Sequence, residues 1–442
     1  AFEHFSTLGD WQVIGLSRRK PDFSAERWIS ADLADRDALP AALAGVGEVS
    51  HVVYAALMEE PELVSGWTSA DQVGTNTTML RNLLDALPAR PDRHLVLLQG
   101  TKAYGVHHGP YRMPARESDP RFIASNFYYD QEDLVRERAA GGDLTFTVLR
   151  PQIVCGYALD NPMNAAMAIG VYAAICAELG QPMRFSGGPA CYQEAVDAEL
   201  LARAIRWACE EPRCAGETYN IANGDCFSWR NLWPGIARRF GAEPGIDHAF
   251  SMARVMPDKG AVWDRIVEKH GLRPIPYDEI VSSWQFLDYL LRYDRSYPHH
   301  SLVSTIKARQ HGFHDCMDTE VMFDRIYDRL QAERAARTVV AALGIAAVAF
   351  QHEADFDLRS RCLLVPTEPP RLELLGRDGG DPVVLPADTT TATGLLEAAA
   401  AAAEQVGMGW DVHEIALTPT PKLVALIQAS RDKVSVETPG VN

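Results

Sequence analysis

RHLVLLQGTKAYG, residues 93–105, is the stretch on which the fold turns. Its apolar run, LVLL, is short and ends abruptly in Gln-Gly-Thr. A brief, continuous apolar run bounded by turn residues is the pattern of a strand buried on both faces. The same pattern recurs on either side. WQVIGLSR (11–18) and SHVVYAAL (50–57) precede it, and LTFTVLRP (144–151) follows. Between them lie helical segments: ALPAALAGV (38–46), NTTMLRNLLDAL (76–87) and QEDLVRERAA (131–140). In the second of these, Met79, Leu80, Leu83, Leu84 and Leu87 share one helical face. Strands alternating with helices through short loops predict a parallel sheet covered on both sides, an α/β Rossmann-like doubly wound fold.

Such folds open on a strand and a glycine-rich turn into a helix. This chain opens on AFEHFSTLGDW, which reads as the back half of that helix, and no GxGxxG occurs nearby. The first strand and its phosphate loop are therefore expected upstream of residue 1. Residues 1–160 read as the dinucleotide-binding domain. From 161 to 335 the alternation loosens and aromatics gather, among them Trp207, Trp229, Trp233, Trp263, Trp284, Phe286 and Tyr289. That predicts a mostly helical cap that builds a substrate pocket. Residues 336–442 change composition again and read as a separate, small α+β module. Its expected elements are a strand (RCLLVP), a hairpin (RLELLGRDGGDPVVLP), a helix (GLLEAAAAAAEQV) and a second helix (TPKLVALIQASR).

At 442 residues and 47% hydrophobic content, the chain can fill more than one core. A net charge of −17 argues against a nucleic-acid or anionic-membrane partner for the chain as a whole. The apolar runs 164–180 and 338–350 read as buried helices, the second falling short of the ~20 residues that span a bilayer. The eight cysteines are scattered and show no CxxC, as expected of thiols in a reducing cytoplasm. The histidine pairs His107–His108 and His299–His300 lack a third ligand at metal-binding spacing, and HEADFD (352–357) lacks the glycine of a calcium loop. No metal site is expected.

In the doubly wound arrangement, ligands meet the carboxyl ends of the strands. Ser17, Arg18 and Arg19 end the first visible strand, where the adenosine ribose would lie. Arginines there take a 2′-phosphate, whereas an acid would take a 2′-hydroxyl, so the pair favours NADPH. Surface charges in a solvated SRRKPD loop are the plainer alternative. Asp32 and Leu33 fall where the adenine would sit, and Asp32 serves equally well as a helix N-cap. Pro151 and Ile153, after the fourth strand, complete the cofactor-side candidates, Pro151 also reading as a simple strand terminator. Lys102 follows the third strand, near a nicotinamide ribose, where it could also favour the phenolate of a neighbouring tyrosine. SNFYYDQEDL (125–134) offers Tyr128 and Tyr129. No lysine stands four residues after either ring, so a catalytic tyrosine would need Lys102 from elsewhere in the chain. By composition alone, a Phe-Tyr-Tyr run is more often core packing.

SNFYYDQEDL, QGTKAYG (99–105), GVYAAICAELGQPMRFSG (170–187) and YNIANGDCFSWRNLW (219–233) together resemble the progesterone 5β-reductase and iridoid synthase family. These are atypical extended short-chain dehydrogenases/reductases, and the resemblance spans residues 1–333. It implies that Tyr128, the first tyrosine of NFYY, is catalytic, with Lys102 as its lysine. It implies NADPH on Arg18 and Arg19, and a small-molecule enone as substrate. The implied reaction is conjugate reduction: hydride reaches the β-carbon, Tyr128 stabilises or protonates the enolate oxygen, and Lys102 assists. Asn126, Glu132 and Asp133 are then loop and helix-start residues, and Tyr129 packs. The plant pattern Arg-Pro-Gly-Asn reads here Arg150-Pro151-Gln152-Ile153, so a plant-type substrate does not carry over.

The tail resembles the end of a Cas7-like protein of the Csb1 type from CRISPR systems. That would imply RNA contact through 336–442 at Arg359 and Arg361, although the module is acidic and lacks an aromatic stripe. Other readings of the whole chain are a sugar-nucleotide epimerase or dehydratase on the same fold, and a non-catalytic cofactor sensor or scaffold. A homodimer is a further option.

Overall fold

The computed structural model describes residues 1–18, 27–158 and 161–329, and four short strands of the tail. The chain divides into two compact units: Ala1–Asp264 with Ile275–Tyr327, and Arg265–Pro274 with Asp328–Asn442.

In the first unit, strands β1 (Gly15–Ser17) and β2 (Trp28–Ser30) form a parallel pair. The expected strand over 11–18 is thus confined to its last residues. Gly15 is required there, because a Cβ would stand 2.2 Å from the Trp28 indole. Strands β3 (His51–Tyr54), β4 (His94–Leu98), β5 (Thr145–Pro151) and β8 (Glu217–Ile221) form a four-stranded parallel sheet in that order. Strands β6 (Ile153–Cys155) and β7 (Ala195–Asp197) make a further parallel pair.

The continuous apolar run of β4 follows from burial on both faces. Leu95 and Leu97 enter a core with Tyr54, Leu80, Leu84, Val135 and Val148. Val96 points the other way, into a core with Leu149, Leu200, Ile205, Tyr219 and Ile221. The first core is sealed by the helices Ala70–Ala86 and Phe127–Ala140, the second by Ala198–Glu210. Leu97 is fully buried; Leu97→Ala would cost about 2–5 kcal/mol through lost transfer energy and the cavity left behind.

Residues 161–335, expected as a mostly helical cap, also return to the sheet. Strand β8 pairs with β5, and the helix Ala198–Glu210 covers the sheet's face. The strand's polar letters concealed it. Tyr219 and Ile221 face the core, while Asn220 on the other side is buried and bonded to Tyr104 Oη, Ala115 O and Ser304 O. The apolar run 164–180 is a helix, Ala165–Glu178, buried over most of its circumference and capped by Asn164. Among the described residues no helix is long and apolar enough to cross a membrane.

In the second unit, β9 (Arg361–Pro366), β10 (Leu372–Leu374), β11 (Val383–Leu385) and β12 (Ala425–Gln428) form an antiparallel sheet in the order β11-β10-β9-β12. The expected strand and hairpin are there. Within TPKLVALIQASR, expected as a helix, the described residues Ala425–Gln428 form instead strand β12, paired with β9. A short apolar run does not fix its own period, and pairing with a neighbour decides it. The helix expected over GLLEAAAAAAEQV, the buried helix over 338–350, and Arg359 lie outside the described residues.

Candidate active site

Beyond β4 the chain makes one tight helical turn, Thr101–Tyr104, closed by Gly105 at φ 77°. A side chain there would be strained, and its Cβ would meet the Phe122 ring at 2.9 Å. The turn carries Lys102. The helix Phe127–Ala140 begins beside it and carries Tyr128 in its first turn.

Asn126 joins the two. Its Oδ1 accepts the Tyr128 N–H at 3.0 Å as an N-cap, and its Nδ2 donates to Lys102 O at 2.8 Å. Gln99, at the end of β4, donates from Nε2 to Tyr128 O at 2.8 Å. Tyr129 takes a different path. Its hydroxyl donates to Ala103 O at 2.9 Å and accepts the Phe122 N–H at 3.0 Å. Both capacities of that phenol are spent on backbone.

The Tyr128 hydroxyl makes no hydrogen bond among the described residues. A Cβ added to Gly100 would lie 3.4 Å from it and 3.6 Å from Pro151 O. The hydroxyl therefore stands at the carboxyl ends of β4 and β5. Lys102 Nζ lies 5.9 Å from the centroid of the Tyr128 ring and 4.4 Å over the face of Trp67. It donates to Glu59 Oε1 at 3.4 Å. Glu59 follows β3, and its other oxygen accepts from Gln72 Nε2 at 2.7 Å. Asn76, one turn along the same helix, bonds both backbone groups of Met58 and so clamps that loop.

Burial pushes the Tyr128 phenol well above its ordinary range, and the Glu59 carboxylate pushes it further. Burial draws the Lys102 ammonium down, opposed by Glu59. The expectation that Lys102 would favour a phenolate is thus reversed. Glu59 offsets the lysine's charge, desolvation dominates, and Tyr128 remains a protonated donor.

Beneath this site Glu132 is buried. It accepts from Arg150 Nη2 at 2.9 Å and from Arg136 Nη2 at 2.7 Å. Arg150 also donates to Gln99 Oε1 at 3.0 Å, so the residue that holds the Tyr128 carbonyl is itself held from the sheet. Burial would raise the Glu132 carboxyl, but Arg150, Arg136 and Arg121 together hold it below its ordinary value. Asp133 pairs with Arg121 through both oxygens.

Lys102, Tyr128 and Pro151 are brought together at one sheet edge. Ser17 ends β1, in the separate two-stranded sheet, and Arg18 follows it, exposed, with its carbonyl accepting from Ser30 Oγ at 3.2 Å. Arg19 lies outside the described residues. Asp32 is exposed and accepts the Ala34 N–H at 2.9 Å. It shapes a turn rather than capping the helix Leu39–Leu43, which starts too far on. Leu33 packs its side chain in the core, and its carbonyl accepts from Asn82 Nδ2 at 2.9 Å. Ile153 sits half-buried on β6, past the sheet edge. Glu59, Trp67 and Gln99 were not singled out in the sequence. Glu59 was within reach, because it follows a strand of the parallel set; nothing in the local letters marks Trp67.

Residues 37–337 match the PRISE-like Rossmann-fold domain. The chain is 31% identical over 340 residues to an (S)-8-oxocitronellyl enol synthase of Antirrhinum majus, covering 71% of this chain and 82% of that protein. It is 33% identical over 324 residues to an (S)-8-oxocitronellyl enol synthase of Nepeta racemosa, covering 69% and 79%. Among solved structures, a putative epimerase from Burkholderia cenocepacia aligns with a TM-score of 0.51 at 18% identity, over 75% of this chain and 93% of that one. The UDP-glucose 4-epimerase of Thermotoga maritima aligns with a TM-score of 0.51 at 15% identity, over 75% and 94%. At those identities the structural likeness shows the α/β Rossmann-like fold alone.

Proposed function

The chain belongs to the family of PRISE-like Rossmann-fold proteins, and on that premise we propose that it is an NADPH-dependent reductase of activated C=C bonds. The observation that carries this is the unbonded, protonated Tyr128 hydroxyl beside Lys102 at the carboxyl ends of β4 and β5. A Cβ on Gly100 would stand in contact with the Tyr128 hydroxyl, 3.4 Å away, so the backbone of that turn runs close beside the phenol. Lys102 would hold a ribose hydroxyl, and Ser17 and Arg18 would face the 2′-phosphate, with Pro151 bounding the nicotinamide side. NADPH, when bound, supplies the hydride.

The residues of the chain do the rest. Tyr128 donates a hydrogen bond to the carbonyl oxygen of an enone. As the β-carbon becomes saturated, negative charge gathers on that oxygen, and the hydroxyl is already aimed to meet it. Because Tyr128 is buried, that bond is stronger than in water. Lys102 exchanges Glu59 for ribose and adds positive potential beside the phenol. The side chain four residues after Tyr128 is Glu132, committed to Arg150 and Arg136. A tyrosine–lysine pair on one helix, as an epimerase reading would require, is therefore not available at Tyr128.

The test is NADPH consumption with a panel of small enones. Tyr128→Phe should lower kcat by about 10²–10³-fold, the usual loss for one oxyanion donor, while Tyr129→Phe stays within a few-fold. A protein that binds NADPH but oxidises it with no enone would overturn the reading, as would a Tyr128→Phe variant as active as the parent.

A further inference from the structure

Among the described residues, Arg292 is a buried cation without a counterion. It is 6% exposed, and among the described residues no carboxylate lies within ion-pairing distance of it. Its Nε is buried and has no hydrogen-bond partner among the described residues. The acids nearest in sequence are committed elsewhere. Asp288 accepts from Ser251 Oγ and from the Met252 and Ala253 N–H groups; Asp294 pairs with Arg295. A buried guanidinium without an anion is costly, and proteins seldom keep one for packing alone.

A second observation points the same way. His299 is 3% exposed, and among the described residues neither of its ring nitrogens has a partner. Burial lowers its affinity for a proton, and Arg292 and Arg295 are close enough to lower it further. The imidazole is thus neutral, with one N–H free to donate. The backbone holds Arg292 in place. It takes the left-handed conformation (φ 56°) at the end of the helix Gln285–Leu291. Gly188 closes over it so tightly that a Cβ would come within 2.1 Å of Arg292 O.

The position matters. The Arg292 guanidinium lies 4.0 Å over the Tyr289 ring. Tyr289 packs edge-on against Trp67 at 4.8 Å, and Trp67 underlies Lys102. An aromatic wall therefore runs from the candidate catalytic lysine to the unpaired arginine.

We propose that Arg292, with His299, forms an anion subsite at the far end of that wall, and that the substrate carries a carboxylate or phosphate monoester there. Arg292 supplies the planar fork that suits either group, His299 a neutral donor, and the Tyr289–Trp67 wall the apolar contact for the carbon chain between. The reductase reading defines what happens at the other end of the substrate; the charge it carries rests on Arg292 alone.

The experiment uses a chain-length series of ω-carboxy enones, their methyl esters and the matching phosphate monoesters. With the parent protein, kcat/KM at the best chain length should favour an anion over its ester by about 10-fold or more. Whether carboxylate or phosphate leads tells which anion the site takes. Arg292→Leu should abolish the preference while the ester's kcat/KM stays within a few-fold, and Arg292→Lys should restore part of it. A second arm needs no turnover: saturated ω-oxo acids should raise the thermal midpoint of the parent and not that of Arg292→Leu, and their esters should raise neither. Without ligand, Arg292→Leu should melt no lower than the parent, because it removes an unpaired charge. Equal kcat/KM for anions and esters in the parent would overturn the proposal with no variant needed, as would an anion preference intact in Arg292→Leu. Reduction of the esters without discrimination would leave the reductase standing and the subsite refuted. If no enone is reduced, the melting arm still decides the subsite.

Discussion

The edge of the sheet and the cap treat buried charge in opposite ways. At the sheet edge Glu132 has Arg150 and Arg136, and Lys102 has Glu59, which Gln72 steadies in turn. In the cap Arg292 has no carboxylate among the described residues. Among the described residues, Glu194 has the Val303 N–H at 2.7 Å and the Gln152 amide at 3.3 Å, both on one oxygen. Burial lifts its carboxyl to about 7. A buried charge with its partner in place adds rigidity, whereas one without leaves interaction energy for a ligand to collect. The edge therefore positions Tyr128, and the cap is where selectivity is expected.

Four measurements break or sharpen that contrast. Glu132→Ala would strand Arg150 in the core, and we expect a loss of about 3–5 kcal/mol in urea unfolding. A loss below ~1 kcal/mol would place the edge's order elsewhere. Lys102→Met should cost about 2 kcal/mol by leaving Glu59 without its cation. Adding Glu59→Gln should recover stability without recovering NADPH turnover; a double variant no more stable than the single would deny that the pair is coupled.

Glu194 tests the cap. Its pKa is raised on folding, so the native state keeps a proton that the unfolded chain releases. Its contribution to stability is complete below 4.5, its ordinary value, and is lost as pH rises through about 7. The parent should therefore lose stability across that window relative to Glu194→Gln, which carries no such proton. Parallel urea midpoints for the two proteins would remove Glu194 from the argument. The smallest effect expected is that of Asn126→Ala, about 1 kcal/mol for a lost N-cap. A fall in kcat of no more than a few-fold should accompany it as the Lys102 turn loosens. An unchanged midpoint would mean that another group holds the two elements together.

Much of this was legible in the letters. LVLL reads as a strand covered on both faces because strands and helices alternate around it, Lys102 was placed by the rule that ligands meet strand ends, and Tyr128 was singled out only by the family resemblance. Strand β8 was missed because its inward polar residues are satisfied by partners far along the chain, such as Tyr104 and Ser304. The tail segment over Ala425–Gln428 was misjudged because a four-residue apolar run suits either period until a neighbouring strand pairs with it. Trp67 and Arg292 carried no local signal at all.

Periodicity is a local property, so the alternation of strand and helix, the two-sided core and the capping asparagine at 126 could be read from neighbours along the chain. Which phenol stays free, which cation keeps a counterion and how a phenol's pKa shifts depend on desolvation and on groups dozens of residues apart. Those quantities come into being only when Glu59, Lys102 and Tyr128 share one buried corner and Arg292 does not.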